Sequence, residues 1–256
     1  MKRIAVIGLA VGTLVIGIGS ASAEWSGSAG VEHFRWKESI TPSVSERGLR
    51  AALGLNWTQN KEAGWLAAYR LKVYKGNVDY EGAFLFSGAP ISSRTHYFGY
   101  TNEIQGIYRT ADRRMEFVGG LGWDSWQRNL SPQQEEDYDI YYVRLGFNIN
   151  TRAKQGFFGG GGAKFPIYAT EDVNLQKIGF DQNPRLHPGR DLSLYGELGY
   201  RINPKWDLIG YYDGFRFRES NRVSVTARAL APGATFTVFQ PQSRMDIVGV
   251  KIQYTF

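Results

Sequence analysis

Histidine is the only side chain whose ordinary pKa lies near neutral pH, and this 256-residue chain has three histidines and no cysteine. The lack of cysteine excludes a thiol nucleophile, a thiolate metal site and a disulfide framework. His33 lies on a segment of alternating polarity, His96 opens another such segment, and His187 lies in a predicted loop beside Pro188. None of them has a neighbouring aspartate, so we expect no catalytic residues.

Carboxylates are concentrated in one short run, which contains Glu135, Glu136, Asp137 and Asp139. A run of this kind could touch a divalent cation. A calcium site, however, takes about six to eight oxygens from a folded cage, which one short loop does not supply. We therefore expect a solvated turn here, with no bound metal and no cofactor.

Most of the other charged residues stand at every second position of segments in which apolar residues fill the positions between. Successive side chains of a strand point to opposite faces, so this spacing gives each segment one polar and one apolar face. The last segment of the chain, for example, has Val248, Val250 and Ile252 on one face and Lys251 and Gln253 on the other.

The alternation repeats over about ten segments, and the connections between them are alternately short and long. Aromatic residues make up 14% of the chain and there are 31 glycines. The mean hydropathy of −0.34 fits strands that are polar at half of their positions. Two all-β architectures fit this pattern. A soluble sandwich or lipocalin-like barrel would bury the apolar faces in a core, whereas a membrane barrel would turn them to lipid.

The end of the chain distinguishes these architectures. Tyr254 and Phe256 continue the apolar face to the terminus, with no turn residue after them. This strand resembles the terminal strand of Gram-negative outer-membrane β-barrels, which ends in an aromatic residue, most often Phe. The resemblance implies an all-β, transmembrane, up-and-down antiparallel barrel of about ten strands, with short periplasmic turns and long extracellular loops. It also implies that Phe256 is the assembly signal read by the barrel-assembly machinery.

Aromatic residues on the apolar face recur near the short turns and the C-terminus. Barrels place such residues at the two membrane interfaces, so these positions predict a periplasmic girdle. Its predicted members are Trp57, Trp65, Tyr108, Phe147, Phe157, Tyr200, Trp206 and Tyr254. An upper girdle would contain Trp123, Tyr141 and Phe165.

The polar faces would then line the lumen, where their charges are mixed and nearly balanced. A barrel of about ten strands is much narrower than an open porin, so long side chains of opposite sign can meet across it. We predict a charge network that largely plugs the lumen, and Glu32 shares its face. The network comprises Arg50, Arg70, Lys72, Glu103, Arg109, Glu116, Arg144, Lys164, Glu197, Arg201, Asp207, Asp213 and Lys251.

The connecting segments are predicted from breaks in the alternation. Long loops are expected at residues 38–47, 75–93, 128–137, 169–190 and 219–244. Within the last of these, Val223 and Val225 have the spacing to pair with Thr235 and Thr237 in a hairpin. Two phenylalanines beyond residue 214 fall on the opposite parity to the preceding apolar residues, which suggests a β-bulge near Gly214.

The N-terminal segment has a charged start, an apolar middle and a small-residue exit at Ala21-Ser22-Ala23. This pattern predicts a cleaved signal peptide at residues 1–23 and a barrel domain at residues 24–256, exported to the cell outer membrane. The net charge is +6, but no basic cluster is evident, so we expect no nucleic-acid partner. The expected partners are outer-membrane lipid and lipopolysaccharide, the barrel-assembly machinery and an unknown surface ligand.

The first functional hypothesis is a non-enzymatic outer-membrane barrel whose surface loops bind or shield, as in opacity-type adhesins. The first alternative is a narrow porin-like channel for small solutes, and the second is a rim-sited hydrolase. The omptin proteases have an Asp pair opposite an Asp-His pair at the rim, and the lipid A deacylases have a Ser two residues after His. None of the three histidines has either pattern.

Overall fold

A computed structural model describes residues 23–83, 88–228 and 233–256. The predicted signal peptide at 1–23 lies outside the described residues except for Ala23, the first residue of β1. The described chain contains one short 3-10 helix, η1 (Gln176–Ile178), and these strands: β1 (Ala23–Glu38), β2 (Val44–Gln59), β3 (Gly64–Ala83), β4 (Pro90–Arg109), β5 (Met115–Asn129), β6 (Glu135–Ile149), β7 (Gly156–Val173), β8 (Arg185–Leu186), β9 (Gly189–Arg190), β10 (Ser193–Asn203), β11 (Trp206–Arg218), β12 (Val223–Thr226), β13 (Thr235–Val238) and β14 (Ser243–Thr255). Within these ranges no helix has the length and apolar character needed to cross a membrane.

Ten long strands form a closed antiparallel barrel. Strands β1 to β7 pair in chain order, β7 pairs with β10, β10 with β11, and β11 with β14. Strand β14 also pairs with β1 over thirteen residue positions, which closes the cylinder and leaves no free edge. The predicted fold, an up-and-down barrel of about ten strands, is confirmed.

The alternating sequence accounts for the two surfaces of this barrel. The outward apolar residues are exposed, with Leu53 at 65%, Leu145 at 62% and Leu198 at 64% of their full accessible area. The charged residues of the opposite parity are buried inside, as Glu32 and Arg50 show. Burial of charge beneath an exposed apolar surface is the arrangement of a protein whose solvent is lipid.

The strands continue much further than the sequence pattern predicted. Strands β3 and β4 each have 20 residues, so most of the predicted loop 75–93 is strand. The predicted loops 38–47 and 128–137 shrink to residues 39–43 and 130–134. These three loop predictions were wrong because the alternation of apolar residues stops at the edge of the lipid. The strands themselves continue to pair above that edge.

The predicted bulge near Gly214 is also wrong. The register between β11 and β14 is continuous from Trp206 to Phe217. Phe215 and Phe217 lie on the opposite parity because they point into the barrel, where both are buried. Register shifts occur instead on β7 near Ile167, against β6, and at the end of β10 between Arg201 and Asn203, against β11.

The two longest connections fold together over the extracellular end of the barrel. We call residues 174–192 and 219–242 the cap, of which residues 229–232 are not described. Strands β12 and β13 form the predicted hairpin, but the predicted partners were wrong: Val223 lies opposite Val238 and Val225 opposite Phe236, in place of Thr235 and Thr237. A small apolar core joins the two connections and includes Leu175, Phe180 and Leu186. The cap is therefore a packed structure, and its strands β8 and β9 pair with β7 and β11, which continues the barrel wall above β10.

Candidate functional site

The periplasmic end of the lumen is lined by paired charges. Arg109 and Glu116 form a salt bridge of 2.7 Å on neighbouring strands. Arg201 donates two hydrogen bonds to Asp207, at 2.8 and 3.0 Å, and also binds carbonyl groups of the turn after β6. A bidentate Arg–carboxylate pair is among the stronger polar contacts, so these pairs stiffen the periplasmic rim.

Halfway up the lumen, one buried carboxylate gathers donors from three strands. Glu32 accepts hydrogen bonds of 2.8 Å from Arg50, Lys72 and Tyr211. None of these donors is on the strand that carries Glu32, and Lys72 and Tyr211 approach from opposite sides of it. Glu32 therefore ties β2, β3 and β11 together through side chains.

A second network occupies the opposite wall at the same level. Glu103 accepts hydrogen bonds from Arg144, at 2.9 Å, and from Tyr142, at 2.6 Å. Lys164 forms a salt bridge with Asp213, which joins β7 to β11 across β10. Most of the charge in this part of the lumen is thus neutralised within the protein.

A cavity of about 110 Å³ lies between these two networks and is lined by both charged and apolar side chains. A second, more polar cavity of about 120 Å³ lies below it, toward the periplasmic turns. The two cavities adjoin, because Asn56, Arg70, Glu197 and Lys251 line both of them. This volume has room for several water molecules or a small solute.

An aromatic layer fills the lumen above the cavities. Rings from opposite walls meet there: Phe34 contacts Tyr97, Trp36 contacts Tyr138, and Tyr142 contacts Phe215, with centroids 4.7, 5.8 and 5.5 Å apart. This layer was not predicted from the sequence. The available signal was the parity of Phe34 and Trp36, which they share with Glu32.

A second ionic cluster lies above the aromatic layer and beneath the cap. Arg128 forms salt bridges with Glu46, Glu136 and Glu38, at 3.1, 2.6 and 3.6 Å. Glu171 is buried close by, and its Oε2 has no hydrogen-bond partner. These residues lie above the lipid-facing band, because the outward residues beside them on the same strands, such as Arg47 and Asp137, are charged or polar.

Four carboxyl groups around one arginine leave this cluster short of positive charge. Burial, and then the neighbouring Glu136, raise the pKa of Glu171 well above its ordinary value, although Arg128 opposes the shift. Burial likewise raises the pKa of Glu136. Within the described residues, no group of three or more acidic or histidine side chains is arranged to hold a metal ion. In the described part of the chain, the salt bridges of Glu38, Glu46 and Glu136 in this cluster are all made with Arg128.

No family model matches this sequence, and no curated protein matches it either. Solved structures do match by fold. The outer-membrane protease OmpT of Escherichia coli superposes with a TM-score of 0.58 at 9% identity, covering 91% of this chain and 97% of that chain. The chain has the fold of a Gram-negative outer-membrane β-barrel.

Two other solved structures are similar at lower scores. Neisserial surface protein A matches at 11% identity with a TM-score of 0.40, over 92% of this chain and 99% of that one. The attachment invasion locus protein Ail of Yersinia pestis matches at 11% identity with a TM-score of 0.38, with the same coverage.

The barrel brings most of the predicted lumen charges together in ion pairs. Lys251 and Glu197 make the longest of them, at 3.8 Å. Arg70 differs from the rest of the predicted network, because it has no ion pair within the described residues and projects into the shared part of the cavities. The run from Glu135 to Asp139 begins β6 instead of forming a turn, and Glu136 points inward to Arg128.

Predicted girdle residues form ring pairs on the outer surface. Neighbouring strands bring together Trp65 with Tyr108, Phe157 with Tyr200, and Trp206 with Tyr254, at 5.4, 5.0 and 4.8 Å. Phe147 is exposed on the same face. Trp57 is only 7% exposed, since it lies directly between Trp25 and Tyr69 on the adjacent strands.

At the upper interface, Trp123 stacks on Tyr141 at 5.8 Å and meets Tyr100 edge-on at 5.0 Å. Phe165 is exposed lower on the same surface. At the other end of the barrel, the backbone N–H of Phe256 donates to the carbonyl of Trp25, so the terminal residue is fixed to β1.

The histidines lie apart from one another. His33 and His96 are exposed on the outer face of β1 and β4. His187 is in the cap, where its ring lies 5.9 Å from that of Tyr168.

Proposed function

We propose that this chain is a non-enzymatic outer-membrane barrel that carries a folded extracellular cap for surface binding or shielding, over a lumen that does not conduct. The observation that carries this proposal is the cap itself. Two connections from different parts of the chain share one apolar core, and they sit above a lumen already filled with aromatic side chains.

The closed lumen is supported by contacts that run across it. A solute pore needs a continuous aqueous path between its two ends. Here the path upward from the cavities meets the rings of Phe34, Tyr97 and Phe215, all nearly inaccessible to solvent. Above them, the salt bridges of Arg128 connect β5 to β1, β2 and β6.

The surface role is supported by the order within the cap. Binding residues of rigid scaffolds are commonly carried on their loops. In this barrel the loops are held in place by Arg185 with Asp172 and by Arg218 with Asp191, at 2.6 and 3.3 Å. A fixed cap presents a defined surface and loses less conformational entropy when it binds than a flexible loop would.

Conductance in a planar bilayer tests the closed lumen. We expect no unitary steps from the purified wild-type barrel. A Phe34→Ala/Trp36→Ala/Phe215→Ala variant should conduct, because it removes rings from both walls of the aromatic layer. Leu53→Ala, on the lipid-facing surface, is the control and should stay silent. Reproducible steps from the wild type would refute the proposal.

Adhesion of expressing cells tests the cap. Val225→Asp places a charge in the cap core, whereas Ser224→Asp places the same charge on its exposed neighbour. If the cap binds or shields, only Val225→Asp should change attachment to epithelial cells and matrix proteins or exposure of the underlying surface. Equal behaviour of both variants and the wild type would remove the surface role.

A narrow channel is the second candidate, favoured by the two adjoining cavities and by the unpaired guanidinium of Arg70 within them. In that case the wild type would conduct, and Arg70→Gln would alter its ion selectivity. The rim hydrolase has a separate test. Replacing His33, His96 and His187 together should leave any activity on lipid A or peptides unchanged.

A further inference from the structure

The outer surface changes character abruptly above the lipid-facing band on four adjacent strands, β11, β14, β1 and β2. Leu49 and Val248 lie at the top of the apolar surface and are 63% and 56% exposed. They flank His33 in the strand register. The next two outward residues on each of these strands make eight positions, and five of them are arginine or lysine.

Five cations occupy the next two rows, and several of them face one another directly. Lys37 lies opposite Arg244, Arg244 lies opposite Arg216, and Arg35 lies opposite Arg47. Like charges at directly opposed positions on neighbouring strands destabilise a sheet. We call Arg35, Lys37, Arg47, Arg216 and Arg244 the basic patch.

Acidic groups within the protein neutralise only part of the basic patch. Asp246 binds Arg216 at 2.6 Å and lies 3.7 Å from Arg244. Glu81 lies 3.3 Å from Arg47. Arg35 lies opposite Asp246 in the strand register but forms no salt bridge with it, and Lys37 forms none with any acid of the described residues. The repulsion in the basic patch is therefore not balanced by this chain alone.

We propose that the basic patch binds the phosphate groups of lipopolysaccharide, the anionic glycolipid of the outer leaflet. The proposal rests on the outer-membrane location inferred above. It deepens that inference by naming a lipid site on one side of the barrel.

The position of the basic patch favours a lipid headgroup over a soluble anion. It adjoins the exposed apolar rows of Leu49 and Val248, so a ligand with phosphates at the height of Arg35 and Lys37 has its acyl chains against those rows. The guanidinium of Arg216 is occupied by Tyr212, Asp246 and two backbone carbonyls. Strands are about 4.8 Å apart, so Arg47, Lys37 and Arg244, on three adjacent strands, present available cations over about 10 Å. That width accommodates a headgroup with more than one phosphate, and arginine binds phosphate through two parallel hydrogen bonds.

Native mass spectrometry of the delipidated barrel in a zwitterionic detergent tests the site. The probes are lipopolysaccharide, dephosphorylated lipopolysaccharide, phosphatidylethanolamine and inorganic phosphate. The test variant is Arg35→Gln/Lys37→Gln/Arg244→Gln. The matched control, Lys61→Gln/Arg113→Gln/Arg114→Gln, removes three exposed cations from the periplasmic turns.

We expect the wild type and the control to bind lipopolysaccharide at least tenfold more tightly than the test variant. Dephosphorylation of the lipid should cause a similar loss, and binding should weaken as salt is raised. Phosphatidylethanolamine should bind wild type and variant alike, and millimolar inorganic phosphate should not displace the lipid. Equal affinity of the wild type and the test variant for lipopolysaccharide would overturn the proposal, and so would binding that does not depend on the phosphates of the lipid. Displacement of the lipid by inorganic phosphate would also overturn it, because the site would then be one for a free anion.

Thermal unfolding provides a second measurement that does not depend on mass spectrometry. Without lipid, the test variant should unfold at the same temperature as the wild type or higher, because opposed like charges have been removed. With lipopolysaccharide, the wild type should gain more stability than the variant; an equal gain would contradict the site. Bilayer conductance of the test variant reports on the closed lumen separately, so failure of one idea leaves the other testable.

Discussion

At the scale of single residues, the lumen depends on a few carboxylates that each hold several donors. Glu32 is the clearest case, because it is fully buried and binds Arg50, Lys72 and Tyr211 at once. Removing one member of a buried charge group leaves the others buried without compensation, which costs more than the pair contributed.

Glu32→Gln should therefore lower the free energy of unfolding by about 3–5 kcal/mol, as expected for breaking a buried ion pair. Urea titration of the barrel in lipid vesicles measures this loss. Glu81→Gln removes a carboxylate from an exposed pair with Arg47 and should cost at most about 1 kcal/mol. Similar losses in both variants would show that the network around Glu32 has little energetic weight.

The contribution of Glu171 to folding stability changes with pH in the opposite direction to that of a salt-bridged acid. Its pKa is raised in the folded protein above the unfolded value of about 4.3, so the folded state binds more protons. The stability that this group contributes is present below the unfolded pKa and is lost as the pH rises through the folded pKa. Glu38, Glu46 and Glu136 face the same space and carry the same sign of charge.

Glu171→Gln should remove that loss, since the amide stays neutral. The variant and the wild type should have similar stability near pH 4. Above pH 4, the free energy of unfolding of the variant should rise relative to that of the wild type. The rise should be up to about 1.4 kcal/mol for each pH unit until the pH reaches the folded pKa of Glu171. Thermal melts between pH 4 and pH 9 check this, with the exposed Asp79→Asn as control. A constant difference between variant and wild type at all pH values would disprove the raised pKa.

At the scale of strands, glycines and aromatic rings are matched across the lumen wall. Gly122 lies directly opposite Tyr142, Gly99 opposite Tyr74, and Gly199 opposite Phe158. In each pair the ring lies over the glycine, where an added Cβ would overlap it. These pairs explain why a narrow barrel with a filled interior needs many glycines and many aromatic residues.

Gly122→Ala should destabilise the barrel by about 1–3 kcal/mol, because the new methyl group displaces the ring of Tyr142. That movement should also weaken the 2.6 Å hydrogen bond from Tyr142 to Glu103. Gly119→Ala, on the lipid face of the same strand, meets only Leu145 at 3.6 Å and should be nearly neutral. The denaturation midpoints of the two variants give the comparison, and equal midpoints would argue against ring-over-glycine packing.

At the scale of the whole molecule, the cap and the barrel have separate apolar cores. The cap core contains Phe180, Leu186 and Val225, whereas the layer within the barrel contains Phe34, Trp36 and their neighbours. The ends of the second cap connection are already joined, because Ser220 and Gln240 exchange hydrogen bonds of 3.0 and 2.8 Å. The segment between these two residues can therefore be replaced by a short turn.

Replacing residues 221–239 with a four-residue Gly-Ser turn should leave the barrel folded, with unchanged heat-dependent mobility on gels. The remaining half of the cap should lose its packing, because Phe180 and Leu186 lose their apolar partners. Trypsin should then cut faster after Lys177, Arg185 and Arg190, while the barrel strands stay resistant. A barrel that no longer folds would show that the two cores are interdependent.

The alternation of residues was enough to predict the barrel, its two surfaces and the sign of nearly every lumen charge. Lipid requires one face of each strand to be apolar, and Leu53, Leu145 and Ile252 lie on that face. The length of the strands, the filling of the lumen and the neighbours of the outward cations depend on how the strands pair in three dimensions. Arg35, Arg47, Arg216 and Arg244 are scattered along the chain, and strand pairing alone assembles them into one surface. The contacts above the lipid and across the lumen join residues that are far apart in sequence. The local alternation of residues therefore does not predict them.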